Sequence, residues 1–226
     1  FTNFVLNEDQ NISFCSDDQK NCFYLYKLPE AWAPYFCFAK PLYKSELGLS
    51  CSNDSDANVN NKVYVAIRVV PMGWTSATGI IMAIQQTLMH RAGLSKNQEV
   101  WINKPFPISS QFHWQYIDDF TAAHIYHVPG VLPRPDAQNK IRDCWTRHDI
   151  PFVIEKETRS VFLQKSLGFI LDGKIGSIHP PKDKLALNIL RCIIIFLETH
   201  PSVPFVRETL GKSSSYCLIR RPLFSI

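Results

Sequence analysis

Glycine is scarce in this chain, nine of 226 residues, and the fifteen prolines follow no repeat. Collagen-like and low-complexity chains are thereby excluded. The longest apolar run, residues 193–197, lies just after Arg191. It is far short of the ~20 residues that a membrane span needs, so no membrane partner is expected. No secretory signal stands at Phe1, which is not Met either, and a piece of a longer chain is expected. The seven cysteines are odd in number, and no two form a CxxC or CxxxxC pair. A zinc knuckle is excluded on that spacing, and free, mostly buried thiols in a reducing compartment, cytoplasm or nucleus, are expected. Asn11-Ile-Ser and Asn53-Asp-Ser match the glycosylation triplet, which is common by chance.

What is present argues for a packed core. Hydrophobic residues make up 46% and charged residues 19%, the balance of a folded chain with one large domain or two joined lobes. The net charge of +4 is uneven: residues 1–60 carry −4, residues 61–173 +3 and residues 174–226 +5. A basic end behind an acidic front suits a chain that holds a polyanion, although an ordinary solvated surface is the better account of charge alone.

Residues 11–15 alternate Ile12 and Phe14 with polar neighbours and meet Ser16-Asp17-Asp18, which predicts a strand ending in acids. Residues 21–28 are dense in aromatics and predict a turn and a short helix or strand. Pro29, Pro34 and Pro41 exclude long helices after it. Residues 49–61, rich in Asn, Asp and Ser, predict an exposed loop or insertion. Val63, Val65, Ile67 and Val69 predict a strand over 62–70. Thr75 or Ser76 can cap a helix running to about Arg91, with Ile80, Ile84 and Leu88 on one face and Gly93 closing it. Residues 111–127 hold two strand-like stretches with Asp118 and Asp119 at a tight hairpin turn between them. A helix over 136–148 would place Ile141 and Trp145 together. A strand pair over 160–171, broken at Gly168, is followed by a hairpin turn at Asp172-Gly173, with 174–178 pairing back. An apolar helix over 183–199 and another from about Phe205 complete an α+β fold, an antiparallel sheet with helices on one face.

The sharpest chemical signal is Tyr116-Ile117-Asp118-Asp119 between two apolar strands. Adjacent carboxylates repel unless a cation offsets them, and hard divalent cations take carboxylate oxygens together with substrate phosphates. Turns favour Asp for their own reasons, so the pair needs a third acid to make a two-metal clamp. Asp18, at the end of the first predicted strand, supplies one.

Four blocks in order carry a resemblance. Ser16-Asp17-Asp18-Gln19-Lys20-Asn21-Cys22-Phe23-Tyr24 resembles motif A of reverse transcriptases, and Val70-Pro71-Met72-Gly73-Trp74-Thr75-Ser76 resembles motif B. Tyr116-Ile117-Asp118-Asp119 resembles the YxDD box, and Leu167-Gly168-Phe169 with Asp172-Gly173 resembles the motif E hairpin. The resemblance spans nearly the whole chain and looks like a retroelement enzyme of the long-terminal-repeat or tyrosine-recombinase kind. It implies a polymerase palm with partial fingers over residues 1–178 (a fingers-side insertion at 29–68) and the start of a thumb over 179–226. The activity implied is RNA-directed DNA polymerisation on an RNA or DNA primer–template with dNTPs, within a longer polyprotein.

By the same resemblance Asp18, Asp118 and Asp119 bind two Mg²⁺ or Mn²⁺ ions. Asp18 is chosen over Asp17 because the family places an aromatic five residues after the metal-binding Asp, here Phe23. Phe23 would then be the steric gate against a 2′-hydroxyl. Met72 stands where the family commonly has Gln, Gly73 admits the nucleotide closely, Trp74 packs beneath it, and Tyr116 completes the nucleotide side. Lys156 lies at the motif D lysine and would protonate leaving pyrophosphate, with Arg159 or Lys165 as alternatives. Leu167, Gly168 and Phe169 would form the primer grip, and Lys182, Lys184, Arg191 and Arg207 would contact the nucleic-acid backbone. A non-catalytic nucleic-acid-binding remnant of a decayed or domesticated element is the rival reading, favoured by Met72 and opposed by the intact acids. Gly211-Lys212-Ser213 ends like a phosphate loop but has Val206 where the first Gly belongs, and His124 and His127 read as ordinary strand residues.

Overall fold

The computed structural model describes residues 6–48, 62–101 and 104–217. In chain order its elements are β1 (Gln10–Asp18), α1 (Cys22–Leu25), β2 (Leu42–Tyr43), β3 (Lys62–Val63), α2 (Ala77–Arg91), β4 (Gln111–Tyr116), β5 (Asp119–His127), α3 (Asp136–Arg147), β6 (Thr158–Val161), β7 (Leu163–Ser166), β8 (Phe169–Asp172), β9 (Ser177–His179), α4 (Lys182–Leu197) and α5 (Val203–Cys217). The central sheet is antiparallel, in the order β4-β5-β1-β6, and a second sheet joins β7-β8-β9. Predicted loop 49–61 and its Asn53 triplet lie outside the described residues.

Period-two alternation sorts the central sheet into two faces. Ile12, Phe14, Ser16 and Asp18 of β1 face one side, with Ala123, Thr121 and Asp119 as partners across β5. There Ile12, Phe14, Phe112, Trp114, Ala123 and Leu171 form a cluster beneath the β7-β8-β9 sheet. On the other side Phe120 and Ala122 pack with Leu88, Met89, Ile141, Cys144 and Trp145 of α2 and α3. Phe120, Ile141 and Trp145 are fully buried, each contributing roughly 1.5–3 kcal/mol by its removal from water. This is the expected mixed α/β architecture, with α2 and α3 on one face.

Several elements differ from their sequence patterns. The first strand runs on through both acids to Asp18, because β5 supplies a partner to every residue up to Asp119. The strand expected over 62–70 shortens to Lys62–Val63, with single bridges at Cys37–Ala66 and Lys27–Val69; its alternating valines and isoleucine find no continuous neighbour to pair with. On α2 the buried stripe is Ala77, Ile81, Gln85, Leu88 and Met89, one residue round from the one expected, and Ser76 sits at the N-cap without a side-chain bond. Gly93 (φ +80°) does end that helix. The segment after residue 158 is two strands in two sheets, β6 and β7, parted at Phe162 after Ser160 takes φ +51°. Lookalike Gly211-Lys212-Ser213 lies inside α5, where no loop can cradle a phosphate.

Gly173 ties the two sheets together. Its carbonyl accepts from the Ile12 amide at 2.8 Å and its amide donates to Phe162 O at 2.7 Å. A Cβ here would lie 2.0 Å from Ile12 O. The turn after β8 spans residues 173–176, wider than expected, and Asp172 Oδ1 accepts from the Lys174 and Ile175 amides. Cys15, Cys22 and Cys144 are buried free thiols, and Cys37 and Cys192 are exposed ones. Among the described residues no helix is long and apolar enough to cross a membrane.

Candidate active site

Strand pairing brings the acids together. Asp18 at the end of β1 and Asp119 at the start of β5 are direct partners across the ladder, so alternation aims both at one face. Asp118 sits beside them on the hairpin, and Gln19 N donates to its carbonyl at 2.9 Å. Lys156 Nζ lies 2.7 Å from Asp18 Oδ2. Asp18, Asp119 and Lys156 line a cleft of about 390 Å³, walled on its far side by Leu163, Gln164, Lys165 and Ser166 of β7 and floored by Ser16, Thr121 and Thr158.

The charges answer to this crowding. Burial, then the neighbouring Asp118 and Asp18, push the Asp119 carboxyl up to about 6. Asp118 is raised as well, by burial first and Asp18 next. The hydrogen bond to Asp18 holds Lys156 above the ordinary lysine range.

The hairpin turn is Ile117-Asp118, with Asp119 already paired in β5 opposite Tyr116. The turn thus falls one residue earlier than the Asp118-Asp119 expected from the sequence. Ile117 takes φ +55°, a conformation that a β-branched residue adopts only when its surroundings impose it. The surroundings are specific: its amide donates to Met82 Sδ at 3.1 Å, and its carbonyl accepts from Gln115 Nε2 at 3.2 Å and Cys22 Sγ at 3.8 Å. The strain sits at the tip that carries Asp118.

The other residues singled out in the sequence fall around this hairpin. Phe23, in α1, is half-buried and shares a cluster with Val70, Trp74 and Ile117. Met72 is exposed, Gly73 turns at φ +92°, and Trp74 meets Phe36 and Trp32 edge-on at 5.0 and 6.0 Å. Tyr116 is exposed on the acid face. Leu167 (φ +50°) and Gly168 (φ +84°) form a two-residue turn between β7 and β8, the combination that a tight hairpin demands. Leu167 is exposed at its tip, and Phe169 leans edge-on against Tyr216 at 6.4 Å. Of the alternatives to Lys156, Arg159 is paired with Glu157, while Lys165 lines the cleft.

Two groupings are not legible in the sequence pattern. Asp17 is buried on the helix side, where Arg142 of α3 grips it with Nε and Nη2. Beneath the hairpin, Gln85 of α2 joins Gln19, Tyr26 Oη and Cys22 Sγ in a buried polar network. Gln85 lies on the observed buried stripe of α2, one residue round from the stripe that the sequence pattern predicts.

Among the described residues no group of three or more His, Cys, Asp or Glu side chains is set to hold a metal ion. The donor chemistry nevertheless fits a hard one, since Mg²⁺ is commonly held by one or two carboxylates plus substrate phosphates and waters. The raised Asp118 and Asp119 mark negative charge still to be neutralised.

Fold and topology are those of reverse transcriptases. The foamy viral protease-reverse transcriptase dRH in complex with dsDNA matches 99% of this chain at a TM-score of 0.54 and 14% identity. The foamy viral protease-reverse transcriptase in complex with dsDNA matches 99% at 0.53 and 15%. The same protein in complex with an RNA/DNA hybrid matches 94% at 0.52 and 14%. This chain spans 31%, 37% and 23% of those chains, respectively. No family model matches the sequence, and no curated protein matches it.

Proposed function

We propose that this chain is the palm, with partial fingers and the start of a thumb, of an RNA-directed DNA polymerase from a retroelement of the long-terminal-repeat or tyrosine-recombinase kind. One observation carries the reading: Asp18 and Asp119, a hundred residues apart in sequence, are paired across one ladder with Asp118 on the adjoining turn and a lysine on the first of them. In this reading the palm and partial fingers run over 1–178, with the fingers-side insertion at 29–68, and the start of the thumb over 179–226.

Asp18, Asp118 and Asp119 would hold two Mg²⁺ or Mn²⁺ ions, which when bound supply charge neutralisation and a lowered pKa at the primer 3′-hydroxyl. Phe23 lies under the sugar of the dNTP and leaves no space for a 2′-hydroxyl. Met72, Gly73, Trp74 and Tyr116 flank the base and sugar. Lys156 delivers a proton to the departing pyrophosphate and balances its charge, since its ammonium already stands in the cleft. Leu167, Gly168 and Phe169 hold the primer end. The RNA or DNA primer–template is gripped through phosphates by basic residues, and other domains of a polyprotein complete the machine. The test is single-nucleotide extension of a primer on RNA and DNA templates with Mg²⁺. Extension that Asp119→Asn abolishes supports the reading; a chain that extends nothing sinks it.

A second reading, a nucleic-acid-binding remnant without turnover, is favoured by the exposed Met72 in the place of a polar contact. Duplex binding with no extension would select it.

A further inference from the structure

The connection from α3 to β6 wraps the end of β1 in an irregular way. Gln19 bridges Phe152, Val153 N donates to Asp18 O at 2.8 Å, and regular pairing resumes only at Ser16–Thr158. Between those points the chain leaves the ladder as a 3₁₀ turn, Ile154–Lys156. The last side chain of that turn and the one after it part to opposite faces of the sheet. Lys156 reaches forward to Asp18, and Glu157 reaches back to Arg142 Nη2 at 2.8 Å. Arg142 also holds Asp17 (Nε–Oδ2 2.9 Å) and lies over the Phe152 ring at 4.9 Å. Gln138, one turn earlier on α3, donates to Ser16 O and Thr158 O at 3.1 and 3.0 Å. One guanidinium therefore touches β1, the start of the wrap and its end.

We propose that Asp17 and Arg142 are positioning residues, a clasp behind the sheet that holds the 152–157 wrap in place and so sets Lys156 at Asp18. The inference rests on the polymerase reading for what Lys156 does there. Three features support it. Asp17 is buried with no exposed side-chain surface, so its charge is tolerated only against a partner that fills both oxygens. Arg142 uses the planar fork that lysine lacks, one edge for Asp17 and one nitrogen shared with Glu157. Lys156 itself is mostly exposed, with a long side chain that would roam without a fixed backbone. Arg142 does not line the cleft, and Asp17, which borders it, has its fully buried carboxylate engaged by Arg142, so each acts through Lys156 and not on substrate.

The experiment is Arg142→Gln in the whole chain, read in two ways. Amide exchange at Val153 reports the wrap directly, whatever the activity. Single-nucleotide extension reports kcat and the dNTP KM. Exchange at Val153 should quicken by at least ~10-fold while β4–β5 amides keep their protection. In extension, kcat should fall roughly 10–100-fold with little change in KM, a part of the roughly 10²–10⁴-fold that a positioned general acid contributes. In a Lys156→Ala background the same substitution should cost less than about twofold more. Unchanged Val153 exchange overturns the proposal. So does a full additional loss in the Lys156→Ala background, which would mean that Arg142 is merely structural. If the parent chain extends no primer, the polymerase reading falls and Val153 exchange alone decides the clasp. Should Arg142→Gln not fold, Arg142→Lys keeps the buried charge without the fork and is read in the same two ways.

Discussion

Asp17 and Asp18 are consecutive on β1, yet an arginine fork holds the first behind the sheet and a lysine meets the second in the cleft. The pleat alone separates them. Each acid has a cation of its own, so the pair avoids the repulsion that two neighbouring carboxylates on one face would suffer. The unneutralised charge is thereby concentrated on Asp118 and Asp119, where a metal is proposed.

Asp118→Asn keeps the shape of the side chain and removes its charge. Primer extension should fall by about 10²–10³-fold or more, because charge developing in the transition state loses its counterpart. Primer–template affinity and its salt dependence should hold, since phosphate contacts lie on basic residues elsewhere. Equal loss of both in a filter-binding and extension comparison would show that Asp118 serves folding or binding.

Phe23→Val opens space beside Val70 and Ile117. Incorporation of rNTP relative to dNTP should rise, measured by competition at a single template position. An unchanged ratio would remove Phe23 from the sugar side of the site.

His113 gives a stability prediction independent of catalysis. It is buried on β4, and burial lowers its pKa from 6.5 to about 4. The folded form therefore refuses a proton that the unfolded chain accepts below pH 6.5. Stability is full above pH 6.5 and falls as pH drops toward 4, by about 3 kcal/mol in all. Glu99 contributes in a lower window: burial raises it, but Lys104 and Gln86 outweigh that and hold it below its usual 4.5. Its contribution is present above pH 4.5 and is lost beneath that. Urea unfolding from pH 7 to 4.5 should show the histidine slope, and His113→Gln should flatten it.

Gly173→Ala should destabilise by about 1–3 kcal/mol, because its methyl would meet a backbone oxygen that is fixed in the central sheet. A thermal melt within experimental error of the parent would mean that β8 and β1 can separate freely.

Much of this was legible in the residues. Alternation at Ile12 and Phe14 announced β1, Ile141 and Trp145 announced the buried face of α3, and the acids flanked by apolar strands announced the hairpin. What escaped depends on distant partners. Arg142 looks like any surface charge on a helix until Asp17, 125 residues away, turns out to be buried opposite it. Gln85 reads as solvent-facing because its partner Gln19 lies on another element. Residues 62–70 have a strand's pattern, but a ladder needs a neighbour, and β2 offers only two residues. The break at Phe162 is a backbone decision at Ser160, a residue whose type tolerates many conformations.

The bond from Ile12 to Gly173 makes β1 a gauge between the two sheets. Six steps of extended chain, roughly 20 Å, separate that anchor from Asp18, and nothing flexible intervenes. One residue added between them would lengthen the gauge by a single step and turn Asp18 toward the helices. The acid and the β7-β8 hairpin would then no longer belong to the same side. Across related chains the count from this anchor to this acid should be invariant, or change only in twos.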